Sequence, residues 1–254
     1  MSSPARRRWH PVSMAHHLVA LGVAVAVWEI AVVASGGWVP STFEIGRAMA
    51  QQAVSGEFYT NLAITLRRVG ITFVACLVIA SIVGAAMGTS KTVRALLRPL
   101  VVIGLAIPDP VTIILAVLIL GVAESSGLIA MVVEITPFIV VIVAGAVESR
   151  DAGLDEMGRV YRLSTRRWLI DVVARQIAPS LLVAGRTSFL FLWKVVILME
   201  ALTQPDGIGP QIQFAFRLFR PDEMIALALL FILAMQLIDW IIFRRIEERA
   251  LSWV

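Results

Sequence analysis

Six apolar stretches, each about as long as a helix that crosses a bilayer, constrain this 254-residue chain more than any other feature. Apolar residues make up 59% of the chain and charged residues only 16%, whereas about a quarter of a soluble domain is charged. The sequence therefore excludes an ordinary soluble domain and predicts an all-α polytopic membrane protein with about six transmembrane helices. The predicted spans cover residues 15–35, 66–88, 99–121, 126–147, 180–200 and 224–243.

The residues outside the spans divide the chain into smaller segments. We expect an N-terminal segment over residues 1–14, a core transmembrane domain over 66–243 and a C-terminal tail over 244–254. The unit 15–65 joins the first span to a stretch whose apolar residues recur at helical spacing, which predicts an amphipathic helix at the external membrane surface. The residues that set this spacing are Phe43, Ile45, Met49 and Val54.

Positive charge is distributed unevenly between the loops. Cytoplasmic loops retain Lys and Arg when helices insert. If both termini lie in the cytoplasm, 15 of the 22 Lys and Arg residues fall on the cytoplasmic side, five fall outside and two lie within spans. This predicts a multi-pass protein of the inner or plasma membrane with both termini in the cytoplasm. Among the outside residues, Arg67 and Arg68 are expected to reach the headgroups by snorkelling.

A charged segment over residues 148–179 is much longer than the roughly 2–8 residues that usually connect bundle helices. Its apolar residues recur at helical spacing, which predicts two short amphipathic helices on the cytoplasmic side. A solvated connector is the alternative. The apolar positions are Leu154, Met157, Val160 and Tyr161 in the first helix and Trp168, Ile170, Val172 and Val173 in the second.

This loop carries a degenerate form of a known motif, in which E-A-A is followed by three residues, G, nine residues and I-x-L-P. Glu156 takes the position of the glutamate, Gly158 that of the second small residue and Val172 that of the isoleucine. The departures are Met157, Arg162, Ala174 and Arg175. Together with "VPSTFEIGRAM", "AIPDP", "LGVAESS" and "GRTSFLFLWKVVILMEALTQPDGIGPQI", the loop resembles the inner-membrane permeases of binding-protein-dependent ABC importers, in the nitrate, sulfonate and taurine branch.

The resemblance implies a function and a set of partners. Such a permease forms the transmembrane pathway of an ABC importer, here for a small anionic or heterocyclic organic solute such as a sulfonate, nitrate or a pyrimidine precursor. ATP is bound by a separate ATPase subunit, so no cofactor is expected in this chain. The other implied partners are a solute-binding protein, a second permease copy as a homodimer, and the lipid bilayer. The loop is implied to dock on the ATPase as a coupling helix through Glu156, Met157, Gly158, Arg159 and Arg162.

Arg162 stands where the motif has its glycine. A glycine there permits a sharp turn with positive φ, a backbone conformation that arginine resists. We therefore expect either a differently built turn or a partner that has adapted to it.

Ionisable residues inside the predicted spans are candidates for a transport pathway, since a charge at the bilayer centre costs about 2.5–3.5 kcal/mol unless it is paired or faces water. Arg186 and Lys194 lie about 80° apart along one side of the fifth span. We expect them, with Glu134, to line the pathway. The alternative is structural pairing, such as Lys194 with Glu134. The other ionisable residues in spans are Glu29, Glu200 and Asp239.

Small residues and prolines mark where helices approach or bend. Gly84 and Gly88 have the four-residue spacing of close helix packing. Pro108, Pro110 and Pro137 break helical hydrogen bonding, which is typical both of a gate and of a harmless kink.

Motifs that carry chemistry are absent from the sequence. No phosphate-binding G-x-x-x-x-G-K-[ST] stretch occurs, and Gly207–Gly209 predicts an external turn rather than a dinucleotide site. The one cysteine and three histidines have no metal-site spacing, and the basic residues lack the pattern of a nucleic-acid surface. We therefore expect no catalytic residues, and no enzyme. The rival classes are an ion-coupled secondary transporter, for which no internal repeat is evident, and a membrane-embedded enzyme.

Overall fold

The computed structural model describes residues 14–250, except for the side chains of residues 14, 15, 17, 159, 165 and 244–250. All regular elements of this part of the chain are helices. The predicted segment 1–14, apart from its last residue, and the end of the predicted tail, 251–254, lie outside the described residues. In chain order the helices are α1 (Met14–Ala34), α2 (Thr42–Ala53), α3 (Gly56–Thr89), α4 (Lys91–Ala106), α5 (Asp109–Leu120), α6 (Glu124–Glu148), α7 (Ala152–Val160), α8 (Thr165–Arg167), a π-helical segment (Trp168–Ala174), α9 (Arg175–Thr203), α10 (Ile208–Arg217) and α11 (Pro221–Ala250).

Within residues 14–250, four helical segments are long and apolar enough to cross a bilayer: α3, α6, the continuous Trp168–Thr203, and Pro221–Phe243 of α11. The pair α4 and α5 counts as a fifth span if it crosses as one broken unit. In α1, the stretch Leu18–Ala34 is apolar but shorter, and it coincides with the first predicted span. The all-α membrane class is confirmed, and the predicted count of about six spans is approximate.

The predicted span over residues 99–121 is a broken helix. α4 and α5 meet at an angle of 106°. Pro108 lies between them with extended backbone (φ −66°, ψ 138°), and it has no N–H to continue the helical hydrogen bonds. Pro110 sits in the first turn of α5, where proline is tolerated. The chain therefore has non-helical backbone inside a stretch that is otherwise apolar enough to cross a bilayer.

Pro137 does not break its helix, because α6 runs continuously from Glu124 to Glu148. Its ring instead packs against α4, where a Cβ built on Gly104 would lie 2.7 Å from Pro137 Cγ. Pro137 therefore costs α6 one helical hydrogen bond, because proline has no N–H, but it does not interrupt the helix. The missing side chain at Gly104 lets α4 approach the proline ring closely.

α3 packs along α6, and two glycines set the separation of these helices. A Cβ on Gly84 would lie 2.7 Å from Val143 Cβ, and one on Gly88 would lie 2.5 Å from Val147 Cβ. Both separations are too short for real side chains, so the glycines let the two backbones approach, as their spacing predicts. The buried core lies mainly between α3, α6 and α9 and includes Val69, Cys76, Met131, Ile139, Leu192 and Met199.

α2 is the predicted amphipathic helix, and α3 begins directly after it at Gly56 rather than at residue 66. A capping box starts α2: the Ser41 hydroxyl accepts the Glu44 N–H at 3.2 Å, and the Glu44 carboxylate accepts the Ser41 N–H at 2.8 Å. The hydrogen bonds from Ser41 lower the pKa of Glu44. The Thr42 N–H donates to Glu29 at 2.9 Å, which ties α2 to α1.

Candidate functional site

The short helix α7 is fixed at its beginning by Asp151. The Asp151 carboxylate accepts the Gly153 N–H at 2.7 Å, which satisfies a free donor of the first helical turn. The Asp151 N–H donates to Gln176 Oε1 at 2.8 Å. Because Gln176 lies in the first turn of α9, the start of α7 is tied directly to that helix.

Gly158 is buried against the indole ring of Trp168. A Cβ built on Gly158 would lie 2.9 Å from Trp168 Cδ1, so any side chain would displace the ring. On the same indole, the Arg150 guanidinium lies 5.6 Å from the ring centroid, and its Nη2 lies 3.7 Å from Asp155 Oδ2. Gly158 is therefore a packing contact between α7 and the segment that leads into α9.

Arg162 adopts the left-handed conformation, with φ of 50°. The Leu163 N–H donates to the Gly158 carbonyl at 3.0 Å, which is the six-residue hydrogen bond of a Schellman helix end. The turn that the motif builds with glycine is thus built here with arginine. The expectation of a differently built turn is therefore wrong, because the backbone of Arg162 adopts the same left-handed conformation that a glycine would. For an L residue this conformation carries a steric cost of roughly 1–2 kcal/mol.

α7 presents apolar side chains to its surroundings. Val160 is 78% exposed and Tyr161 73%, and Leu154 and Met157 are also exposed. The side chains of Glu156 and Arg162 are exposed as well, whereas the Arg159 side chain lies outside the described residues. Such an apolar surface on a loop rich in charge is typical of a contact with another protein.

The second short helix predicted in the loop is not separate from the span that follows. α8, the π-helical segment Trp168–Ala174 and α9 form one continuous helical stretch up to Thr203. Val172, at the isoleucine position of the motif, is buried. π-helical turns are rare and frequently lie at functional sites.

The three predicted pathway residues do not form one cluster. Arg186 pairs with Asp239 of α11, with Nη2 3.0 Å from Oδ2. Lys194 is exposed, and its Nζ lies 5.7 Å from the centroid of the Phe191 ring. Among the described residues we find no ion pair between Lys194 and Glu134. The charge of Arg186 is therefore compensated within the subunit.

Glu134 lines a cavity of about 150 Å³ beside the break between α4 and α5. Asp109, the first residue of α5, lines the same cavity, and Phe138 and Phe191 form aromatic walls. Glu134 Oε2 is buried and has no hydrogen-bond partner among the described residues. The cavity thus combines two carboxyl groups with apolar walls.

A second group of charged residues lies at the end of the bundle opposite α7. Arg68 of α3 is 2% exposed, and its guanidinium donates to Glu124 at 2.9 Å, to Glu200 at 2.8 Å and to Asp206 at 2.5 Å. Glu200 is fully buried, whereas Glu124 and Asp206 are partly exposed. We call these four residues the Arg68 cluster. Arg67 also pairs with Glu124.

The start of α10 is built on this cluster. The Gly209 N–H donates to Glu200 Oε2 at 3.1 Å, the Ile208 N–H to the Thr65 hydroxyl at 3.0 Å and the Gly207 N–H to Asn61 Oδ1 at 2.8 Å. A Cβ on Gly207 would lie 2.5 Å from the Glu200 carboxylate. The predicted turn is thus confined to Gly207, whereas Ile208 and Gly209 begin α10 with their N–H groups directed at the cluster and its neighbours.

Sequence reasoning missed the Arg68 cluster. Arg68 does not extend to the headgroups, as expected from snorkelling, because its side chain is buried. The feature of the sequence that pointed to this cluster was Glu200, since an ionisable residue in a span requires a partner. The identity of that partner depends on packing, because Arg68 and Glu200 are 132 residues apart in the chain.

A bundle of long apolar helices that encloses buried charged side chains defines the class of polytopic membrane proteins. The chain belongs to the family of binding-protein-dependent transport system inner membrane components, whose sequence profile matches residues 76–249. It is the permease subunit of an ABC importer. The ion-coupled secondary transporter is not favoured. Permeases of this family are not enzymes, and their ATPase is a separate partner.

Curated relatives cover most of the chain. The putative aliphatic sulfonates transport permease protein SsuC of Bacillus subtilis is 22% identical over 98% of this chain and 90% of its own length. The SsuC protein of Escherichia coli is 27% identical over 85% of this chain and 83% of its own length. The nitrate import permease protein NrtB of Synechocystis is 23% identical, with 80% of each chain covered.

The fold also matches a solved structure. An inward-facing conformation of the MetNI methionine ABC transporter contains a chain that superposes with a TM-score of 0.61 and 18% identity. The match covers 73% of this chain and 92% of that chain. It establishes a shared permease fold.

Proposed function

We propose that α7 is the surface through which this permease contacts its ATPase. The support is its exposed apolar side, formed by Met157 and Val160, next to the exposed charges of Glu156 and Arg162. Arg159 belongs to the same helix by its position in the chain. Gly158 lies on the buried side of α7 and would not contact the ATPase itself, because it packs α7 against Trp168.

In this proposal, a displacement of α7 moves α9 directly, because α7 is joined to the helical stretch that contains α9. Two contacts join them: the hydrogen bond between Asp151 and Gln176, and the packing of Gly158 on Trp168. A short helix held at both ends moves as a rigid element, so displacement by the ATPase is transmitted rather than absorbed.

A charged substitution on the exposed side tests this contact. Val160→Asp places a carboxylate on an apolar surface that is 78% exposed, so the subunit should still fold but should no longer retain the ATPase. Val54→Asp is the matched control, because Val54 is 85% exposed and follows α2, far along the chain from α7. Co-purification from detergent-solubilised membranes measures the contact. Full retention of the ATPase by the Val160 variant would contradict the proposal.

We also propose that the α7 end of the bundle faces the cytoplasm and the Arg68 end faces outward. The support is the distribution of Lys and Arg, of which 15 lie on the proposed cytoplasmic side and five on the other. Residues 1–14, 89–98, 148–179 and 244–254 then face the cytoplasm. The core transmembrane domain 66–243 carries the pathway.

We propose that a second copy of this chain covers the face formed by α4 and α5, giving a homodimer. The support is the break at Pro108, because non-helical backbone at membrane depth is tolerated only where it is buried in protein or lines a water-filled cavity. Pro108 and Asp109 are exposed in the single subunit. Burying this face between two copies removes both from lipid and places the Glu134 cavity beside the pathway.

Glu134 and Lys194 are the residues that we assign to the pathway. Glu134 lines the cavity at the helix break, and Lys194 lies over Phe191, which is part of the same cavity wall. Arg186, the third residue predicted for the pathway, contributes less charge because Asp239 compensates it. Lys194→Met should therefore reduce uptake more than assembly.

The solute that we propose is a small oxyanion or organic anion of the sulfonate and nitrate type. The support is the relatives, which are named for aliphatic sulfonates, nitrate and taurine. The complex with the ATPase and the solute-binding protein is reconstituted in proteoliposomes, and ATP-driven uptake of ethanesulfonate, taurine and nitrate is measured. Accumulation of none of the three above ATP-free vesicles would overturn this solute class.

A heterocycle with a protonated nitrogen is a second candidate, favoured by the cavity itself. Asp109 and Glu134 repel an anion but attract a cation, and Phe138 and Phe191 offer ring faces for stacking. An aminopyrimidine is the probe for the same vesicles. Uptake of the aminopyrimidine with exclusion of the three anions would select this candidate.

We propose that this chain performs no covalent chemistry itself. The support is the sequence, which has no phosphate-binding loop. ATP hydrolysis then belongs to the partner that α7 contacts.

A further inference from the structure

The Arg68 cluster joins four separate segments of the chain at one point. Arg68 comes from α3, Glu124 from the start of α6, Glu200 from the end of α9 and Asp206 from the turn that leads into α10. The guanidinium also donates to the Asp206 carbonyl at 2.8 Å. One side chain therefore fixes the positions of four segments relative to each other.

Stability alone does not account for such a cluster. Removing two charges from water costs several kcal/mol per ion, and apolar residues of similar volume often stabilise a protein as well or better. What the charged groups add is orientation, because a guanidinium donates its hydrogen bonds only in its own plane and at fixed angles. The cluster thus specifies geometry.

The α3–α6 contact is fixed at both of its ends by different means. Near the α7 end, Gly84 and Gly88 bring the α3 backbone against Val143 and Val147 of α6. Near the other end, Arg68 binds Glu124. The contact between α3 and α6 is thus held at two separated points, which restrains the two helices from separating between them.

We propose that Arg68 is a positioning residue that makes the outer ends of α3, α6 and α9, with the start of α10, one rigid outer body. Outward opening then takes place between the two permease copies and not between these helices of one copy. The proposal rests on the proposed function, in that it assumes a pathway between two copies driven by the ATPase.

Cross-linking within one copy tests the rigid outer body. Gln204 Nε2 lies 3.5 Å from the Ala123 carbonyl, and neither residue belongs to the Arg68 cluster. Ala123→Cys and Gln204→Cys therefore place one thiol on the start of α6 and one on the end of α9. The one native cysteine, Cys76, is fully buried and does not compete.

The measurement is the yield of cross-linking by a short bifunctional thiol reagent in the reconstituted complex, without nucleotide and after vanadate trapping. A rigid body gives yields that agree within about two-fold in the two states. Cross-linked complexes should also retain ATP hydrolysis. A yield that falls about ten-fold in one state, or hydrolysis that stops on cross-linking and returns on cleavage of the linker, would overturn the proposal.

Variants of the Arg68 cluster test whether Arg68 is the cause of the rigidity of the outer body. Arg68→Gln should make the yield depend on the nucleotide state by about five-fold. Glu124→Ala should do the same while it leaves the buried Arg68–Glu200 pair intact, so it remains informative if the first variant does not fold. Arg67→Gln is the matched control, because Arg67 is 55% exposed and, among the described residues, its ion pair is with the rim carboxylate Glu124.

The outcomes separate the two proposals. Yields that stay independent of nucleotide state in both cluster variants, or that change equally in the Arg67 control, would remove the assigned role of Arg68. A parent complex that neither hydrolyses ATP nor transports any probe counts against the proposed function instead.

Discussion

Arg162 illustrates how a single residue departs from a motif without changing the shape that the motif builds. Its φ of 50° and the hydrogen bond from Leu163 to Gly158 are those of a glycine-ended helix. The steric cost of an L side chain in this conformation is offset by contacts within the same loop. The loop retains its shape because the six-residue hydrogen bond and the Trp168 contact hold both sides of the turn.

Arg162→Gly should therefore stabilise the subunit slightly. Removing the side chain relieves roughly 1–2 kcal/mol of strain, offset in part by the larger conformational entropy of glycine in the unfolded chain, so we expect a net gain of about 0.5–1 kcal/mol. Thermal unfolding in detergent measures it. Arg166→Gly, in helical backbone, is the control and should lose stability by about 1 kcal/mol. Destabilisation by both variants would contradict this explanation.

Gly158→Ala should disturb the loop, because its new methyl group would lie 2.9 Å from Trp168 Cδ1. Overpacking of this kind costs about 1–3 kcal/mol. We expect reduced uptake and ATPase retention with unchanged membrane insertion. Gly145→Ala adds the same methyl group to α6 where no atom beyond the local backbone of that helix lies within 4 Å, so it should behave like the parent. Equal uptake in the two variants would show that the Trp168 contact does not matter for coupling.

At the scale of helices, most of the predicted elements are present in the structure, but their ends and their continuity differ from the prediction. α2 and α7 lie where amphipathic periodicity placed them. The segment after α7 joins α9, because no proline or glycine interrupts residues 165–178. Pro108 breaks its span whereas Pro137 does not. The Pro137 ring has a partner surface at Gly104, and α6 continues through it.

Gly88→Ala tests the helix contact between α3 and α6. The added methyl group would lie 2.5 Å from Val147 Cβ and 2.9 Å from the Ala144 carbonyl, so one helix must shift. We expect a loss of about 1–3 kcal/mol in unfolding free energy, measured by thermal denaturation in detergent. Gly70→Ala lies on the same helix, its methyl group would meet no atom within 4 Å beyond the local backbone, and it should be neutral or slightly stabilising. The contact assigned to these glycines is wrong if the two variants are equally stable.

At the scale of the whole molecule, the proposed orientation places the coupling loop in the cytoplasm and the Arg68 cluster outside. Ser164→Cys, in the exposed turn after α7, should react with a membrane-impermeant maleimide only after the cells are permeabilised. Val54→Cys should react in intact cells. The buried Cys76 does not contribute. Labelling of the introduced thiol at position 164 in intact cells would reverse the orientation and exclude α7 from contact with a cytoplasmic ATPase.

The sequence by itself determined the helical membrane class, the approximate positions of the apolar spans and the amphipathic helices α2 and α7. Those properties are local: the thickness of the bilayer sets the length of an apolar run, and helical spacing sets which side is apolar. The motif around Glu156 contributed to the family resemblance in the same way, because its spacing lies within one loop.

Only the tertiary structure decided which charges meet. Arg68 and Glu200 are 132 residues apart, Arg186 and Asp239 are 53 apart, and the predicted pairing of Lys194 with Glu134 is not found among the described residues. A buried charge requires a partner, but its sequence position does not say which one, because every cation at a similar depth is an equal candidate. The choice is made by the packing of whole helices, such as α3 against α6, which Gly84 and Gly88 bring together at one end and Arg68 joins to Glu124 at the other.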